Sequence, residues 1–108
     1  MILDGRLRYH RAGLDVPVSL TARSQKRAGG QLINLSQGGL QVRMENGFDA
    51  SEASSVSFAL PGTKCGLRAQ VEVAWSDNRG NVGIRFVKMA SEMKNTLRLW
   101  LAQQYFAN

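Results

Sequence analysis

The sequence predicts an all-β domain with one helix: a six-stranded antiparallel, split β-barrel followed by a C-terminal α-helix. Three observations lead there. Apolar residues recur at every second position through most of the chain, Gly, Pro, Asn and Asp interrupt those runs at short intervals, and near the C-terminus the spacing changes to three and four. A chain of 108 residues with 44% hydrophobic content is the size of one domain and can fill one core without a metal or a disulfide.

Taken in order, Val16, Val18, Leu20 and Ala22 alternate with Pro17, Ser19 and Thr21 in a half-buried first strand. Pro17 cannot donate a ladder hydrogen bond, so the strand begins there or lies at an edge. Arg23 to Gly30 is polar and ends in two glycines, which predicts a hairpin loop. Gln31 to Leu35 forms the second strand, and Leu40, Val42 and Met44 share one side of the third. Asn46 to Ser54 holds turn formers and acids and reads as a connection. Val56, Phe58 and Leu60 mark the fourth strand, stopped by Pro61-Gly62. Leu67, Ala69, Val71, Val73 and Trp75 alternate with Arg68, Gln70, Glu72 and Ala74 in the fifth. After an Asp77-to-Asn81 turn, Val82, Ile84 and Phe86 give the sixth. Met89, Met93, Leu97, Trp100, Leu101 and Gln104 then fall at helical spacing, with Ser91 as N-cap and Glu92 in the first turn, so the helix covers an open end or face of the barrel. Residues 1–13 read as a flexible basic arm and 14–108 as the barrel with its helix.

The charge is +6, with 14 Lys and Arg against 8 Asp and Glu. Such a surplus favours anionic partners, and Arg6, Arg8 and Arg11 concentrate it in the arm. The lone cysteine, Cys65, has no internal partner and no CxxC neighbour, and the sole histidine, His10, is distant in sequence, so no metal cluster is expected. Met1 to Gly5 lacks the apolar stretch of a signal peptide, and no run approaches about 18 apolar residues, so no membrane insertion is expected. A reducing, cytoplasmic setting is the simplest reading.

Enzymatic signatures are missing. His10 lacks an evident nucleophile and orienting acid, Ser36 precedes a strand where a nucleophile elbow needs a helix, and no phosphate-binding glycine loop leads into a helix. The chain is therefore read as a binding protein, not an enzyme. The most informative segment is Asn34-Leu35-Ser36-Gln37-Gly38-Gly39, just before the alternating run Leu40-Gln41-Val42-Arg43-Met44. It sets an amide, a hydroxyl and bare backbone at one turn, which suits the edge of a planar polar group. Arginine upstream suits phosphate through its planar fork, and the same plane stacks on purines.

The combination resembles the PilZ domain, a family of bacterial cyclic di-GMP receptors. The family's marks are an RxxxR segment before the first strand and a [D/N]xSxxG turn between two strands. Asn34, Ser36 and Gly39 match the second. Arg11 lies where the second motif arginine belongs, Leu7 stands four residues earlier, and Arg8 matches the second of the doubled arginine found in RRxxR members. Further echoes are Asp15-Val16-Pro17-Val18, Val73-Ala74-Trp75-Ser76 and Gly83-Ile84-Arg85-Phe86.

The resemblance implies a receptor that binds cyclic di-GMP, needs no other cofactor, and passes its state to an effector protein controlling motility, biofilm or exopolysaccharide. Arg6, Arg8 and Arg11 would hold phosphates and stack on guanine, Asn34 and Ser36 would bond its polar edges, and Gly38 and Gly39 would let the ring lie close. His10 and Trp75 are possible further contacts. The alternative within the family is a ligand-blind interaction module in pilus or flagellar function, which Leu7 favours. A single-stranded nucleic-acid barrel fits less well: Phe58, Trp75 and Phe86 follow the buried alternation, leaving few stacking platforms, so no DNA or RNA partner is expected.

Overall fold

The computed structural model describes residues 8–10, 16–45 and 49–106. The elements are β1 (Arg8–His10), β2 (Pro17–Ala22), β3 (Arg27–Ser36), β4 (Gly39–Met44), a short 3-10 turn (Ala50–Glu52), β5 (Ala53–Ala59), β6 (Gly66–Ser76), β7 (Asn81–Lys88) and α1 (Ser91–Phe106). All strand pairings are antiparallel in the order β1-β3-β2-β5-β6-β7-β4, and β4 pairs back onto β3. Strands β2 to β7 thus form the expected closed six-stranded barrel, with β1 added outside the ring along β3. Closure leaves no open edge within the ring itself.

Alternation supplies the core. Val18, Leu20, Leu35, Val42, Val56, Leu67, Ala69, Val82 and Ile84 are buried inside, as the period-two pattern requires. Helix α1 contributes Leu97, Trp100 and Leu101 to the same core, together with Met89 just before it. Grooves joining Met93 to the β5 and β6 ends, and Lys94 and Leu97 to Gln37 and Gly38, show which end the helix covers. It is the end that carries the β3–β4 turn. The helix also lies against β1. Among the described residues no helix is long and apolar enough to cross a membrane.

Four sequence expectations are corrected. The Arg23–Gly30 loop is really a tight turn, because β3 already begins at Arg27. Gly29 and Gly30 pair with Ser19 and Val18 of β2, and a Cβ on Gly30 would stand 2.8 Å from the Arg43 carbonyl oxygen. Those glycines serve close strand approach, while Gln25, at φ 73°, supplies the left-handed turn residue. The connection after β4 is shorter than Asn46–Ser54, since β5 starts at Ala53; residues 46–48 lie outside the described residues. Ser91 is the first helical residue and not the cap, and the Ala90 carbonyl accepts the Lys94 N–H. The fourth correction concerns Trp75 and bears on the site.

Candidate functional site: an outer-face corner beside strand β1

Two of the β-bulges among the described strands shape the outer surface of the barrel here. On β3 the register runs Leu32 opposite Val42, then Asn34 opposite Gln41, so Ile33 is an extra residue. Uninterrupted alternation from the buried Leu32 would have turned Asn34 inward. The bulge shifts the phase by one, burying Leu35 and leaving Asn34 and Ser36 only half-buried. On β6 the register steps from Val73 opposite Ile84 to Trp75 opposite Gly83, making Ala74 the extra residue. Trp75 therefore leaves the inward series to which its spacing assigned it and is 47% exposed.

The register now draws a row across five strands: His10 opposite Asn34, Asn34 opposite Gln41, Gln41 opposite Gly83, and Gly83 opposite Trp75. The Asn34 Nδ2 donates to Gln41 Oε1 at 2.8 Å. A Cβ on Gly83 would fall 2.1 Å from Trp75 Nε1, so the indole lies directly on this glycine. Asn34 and Gly83 are two strand spacings apart, roughly 9–10 Å. A polar floor bounded by an indole thus runs along the outer face.

The adjoining row holds Arg8 opposite Ser36, and Gly39 opposite Arg85, which in turn faces Glu72. The turn between Ser36 and Gly39 is tied internally: Gly38 N–H donates to Ser36 Oγ at 3.3 Å, and that hydroxyl donates to the Gly39 carbonyl at 3.3 Å. It is also tied to β7, where Phe86 N–H donates to the Gly38 carbonyl at 2.9 Å. A Cβ on Gly39 would come within 1.9 Å of the Ile84 carbonyl oxygen, so the fold itself requires glycine there. Arg85 pairs with Glu72 on the open surface. A pairing that exposed contributes little stability and leaves the guanidinium available.

Beyond the turn, a groove of about 380 Å³ separates it from α1. Arg85, Lys88 and Lys94 give its rim positive charge, and Phe86, Met89 and Leu97 give it an apolar floor.

The profile of the PilZ domain matches residues 6–103. The chain belongs to the PilZ domain family. No match emerges among curated proteins. Solved structures of the same fold include the Bacillus subtilis inhibitor of motility MotI/DgrA, with TM-score 0.73 and 14% identity. That similarity covers 100% of this chain but only 54% of the Bacillus one, so this PilZ chain spans about half its length. The PilZ domain of CeSA, from a cellulose-synthesising bacterium, has TM-score 0.58 and 17% identity over 92% of this chain and 97% of its own. The PilZ domain of YcgR from Escherichia coli, solved with c-di-GMP, has TM-score 0.58 and 13% identity over 94% and 90%.

Of the residues singled out from sequence, the PilZ fold brings together Asn34, Ser36, Gly38 and Gly39. It sets the backbone of Arg8 and His10 directly opposite Ser36 and Asn34, and it places Trp75 on the same face. Arg6 and Arg11 lie outside the described residues. Sequence reasoning passed over Gln41 and Arg85. Both were legible as polar positions between inward neighbours, Leu40 and Val42 in one case and Ile84 and Phe86 in the other.

Proposed function

We propose that this PilZ domain is a cyclic di-GMP receptor, and that the corner formed by Asn34, Ser36, Gly38 and Gly39 is its binding surface. The observation that carries this reading is the pairing of β1 with β3, which sets Arg8 opposite Ser36 and His10 opposite Asn34. A basic N-terminal segment thereby runs beside the amide and hydroxyl. In this reading Arg6, Arg8 and Arg11 hold the two phosphates, because a guanidinium binds phosphate through paired charge-assisted hydrogen bonds. Asn34 and Ser36 bond the polar edges of guanine, Trp75 flanks the base from its seat on Gly83, and His10 contributes from the neighbouring strand. Ordering each residue of the arm costs about 1–2 kcal/mol of backbone entropy. Pairing on β3 supplies part of what offsets this, and the phosphate contacts supply the rest.

The domain acts as a receptor and not as an enzyme, in the cytoplasm, with an effector protein downstream. The Escherichia coli relative solved with c-di-GMP and the motility inhibitor of Bacillus support a role in second-messenger control of motility or biofilm. Gln37 and Gly38 belong both to the corner turn and to the groove beside α1. A ligand that shifts this turn reshapes the groove, which makes it the surface an effector reads.

Calorimetric titration with cyclic di-GMP, using cyclic di-AMP and GTP as controls, tests the reading. Saturable binding is expected for the unaltered protein, with a loss of tenfold or more in Arg11→Ala, about the worth of one charge-assisted hydrogen bond, and of about tenfold in Ser36→Ala, the upper range for a neutral one. Undiminished affinity in both variants would refute the site. Leu7→Arg sharpens the alternative: Leu7 holds the place of a motif arginine, the one feature that favours a ligand-blind interaction module. Tighter binding in that variant supports the receptor, and binding by neither Leu7→Arg nor the unaltered chain supports the module.

A further inference from the structure

We infer that Gln41 is a positioning residue that fixes which end of the Asn34 amide faces the ligand, an inference that rests on the cyclic di-GMP reading above. An asparagine side chain carries an acceptor oxygen and a donor NH₂ group of nearly equal size, and rotation by a half turn exchanges them. At a surface that reads a base edge, the two orientations have opposite meaning. Here the choice is made within the protein. Asn34 Nδ2 donates to Gln41 Oε1 at 2.8 Å, across the directly paired positions of β3 and β4. The NH₂ group is thus engaged by the neighbouring strand, and Oδ1 is the atom left to receive a donor.

That polarity selects among bases. The Watson–Crick edge of guanine presents two adjacent donors, N1–H and N2–H₂, followed by the O6 acceptor. A lone acceptor oxygen receives the pair, whereas an NH₂ group turned outward would meet them donor to donor. Adenine has no N2 amino group and presents an acceptor at N1, so it offers that oxygen neither of these donors. The bulge at Ile33 matters here too, because it brings Asn34 to the outer face and into register with Gln41.

The test is a double-mutant cycle. Gln41→Met keeps the length and volume of the side chain but offers only a weak thioether acceptor. In the unaltered background it should weaken cyclic di-GMP binding about five- to tenfold, the worth of one neutral hydrogen bond, and lower the preference over cyclic di-AMP. Asn34→Asp has acceptor oxygens in both orientations and needs no partner to choose between them. In that background Gln41→Met should change affinity by less than about twofold, the expected signature of coupling between two contacting residues. Thermal melts check that each variant folds, with Gln41→Ala standing in should the methionine variant not fold. An equal loss in both backgrounds would overturn the inference, because Gln41 would then act independently of Asn34. No loss in either would overturn it as well. Failure of the unaltered, folded protein to bind cyclic di-GMP would overturn the receptor reading itself, an outcome readily told apart from the other two.

Discussion

Two turns of this barrel are built from similar residues and do different things. Between β6 and β7, Asp77 accepts from Arg79 N–H at 2.8 Å, from Asn81 N–H at 3.0 Å and from Asn81 Nδ2 at 2.9 Å. Gly80, at φ 90°, takes the left-handed conformation the turn needs. Those bonds, led by the one from the Asn81 side chain, hold the Asp77 carboxyl below its ordinary value of 3.8. Between β3 and β4, Ser36 makes two long bonds at 3.3 Å, neither glycine is left-handed, and Gly39 is needed for close approach to β7. The first turn spends its polar groups on itself. The second keeps polar capacity in reserve on a face crossed by the row from His10 to Trp75. A turn rich in Asn, Ser and Gly is a site only when its own backbone does not consume those groups.

The contrast can be broken in stages. The largest effect is expected from Gly39→Ala, since a methyl group 1.9 Å from the Ile84 carbonyl cannot be accommodated without parting β4 from β7. A loss of about 3 kcal/mol or more, the upper range for overpacked sites, should appear in urea denaturation. Gly83→Ala should come next: the added methyl meets the indole at 2.1 Å and lifts it off the sheet. Trp75 fluorescence should then shift to the red and cyclic di-GMP affinity should fall severalfold, while the barrel still folds. Ser36→Ala should alter stability by only about 0.5 kcal/mol, given two long neutral hydrogen bonds, yet cost binding about tenfold. Asp77→Ala should show the reverse, a lowered melting temperature with affinity intact.

The smallest effect concerns pH. Because folding lowers the Asp77 pKa, its contribution is fully present above the unfolded value and is lost as pH falls through the folded one. Amide exchange in the 77–81 turn should therefore quicken selectively below about pH 4, relative to the intrinsic rate, and Asp77→Asn should abolish that selectivity. An equal response in the 36–39 turn would erase the distinction between the two.

The barrel was legible because its inward positions are apolar at every second residue and its turns hold Pro61-Gly62 and Asp77 to Asn81. The terminal helix was legible from its change of spacing. Local context defeated the reading at Gly29 and Gly30, which look like a turn but lie inside β3, where β4 crowds Gly30. Trp75 was misassigned because a bulge at Ala74 leaves no trace in alternation: the residue continues the inward count while its side chain turns outward. The candidate corner was visible as a motif, but its wiring was not. That Asn34 meets Gln41, seven positions away, and that Trp75 rests on Gly83 depend on strand register. Register emerges only once the ring has closed.

The central claim is that one face of this PilZ barrel, where β1 runs beside the Asn34–Ser36 segment, takes a guanine dinucleotide. Backbone amide shifts recorded while cyclic di-GMP is titrated into labelled protein test it most directly. The account predicts saturable changes at residues 8–10, 34–41, 75 and 83, with the 23–27 and 77–81 turns unmoved. Changes centred on those two turns, or a spectrum that stays unaltered at saturating ligand, would contradict it.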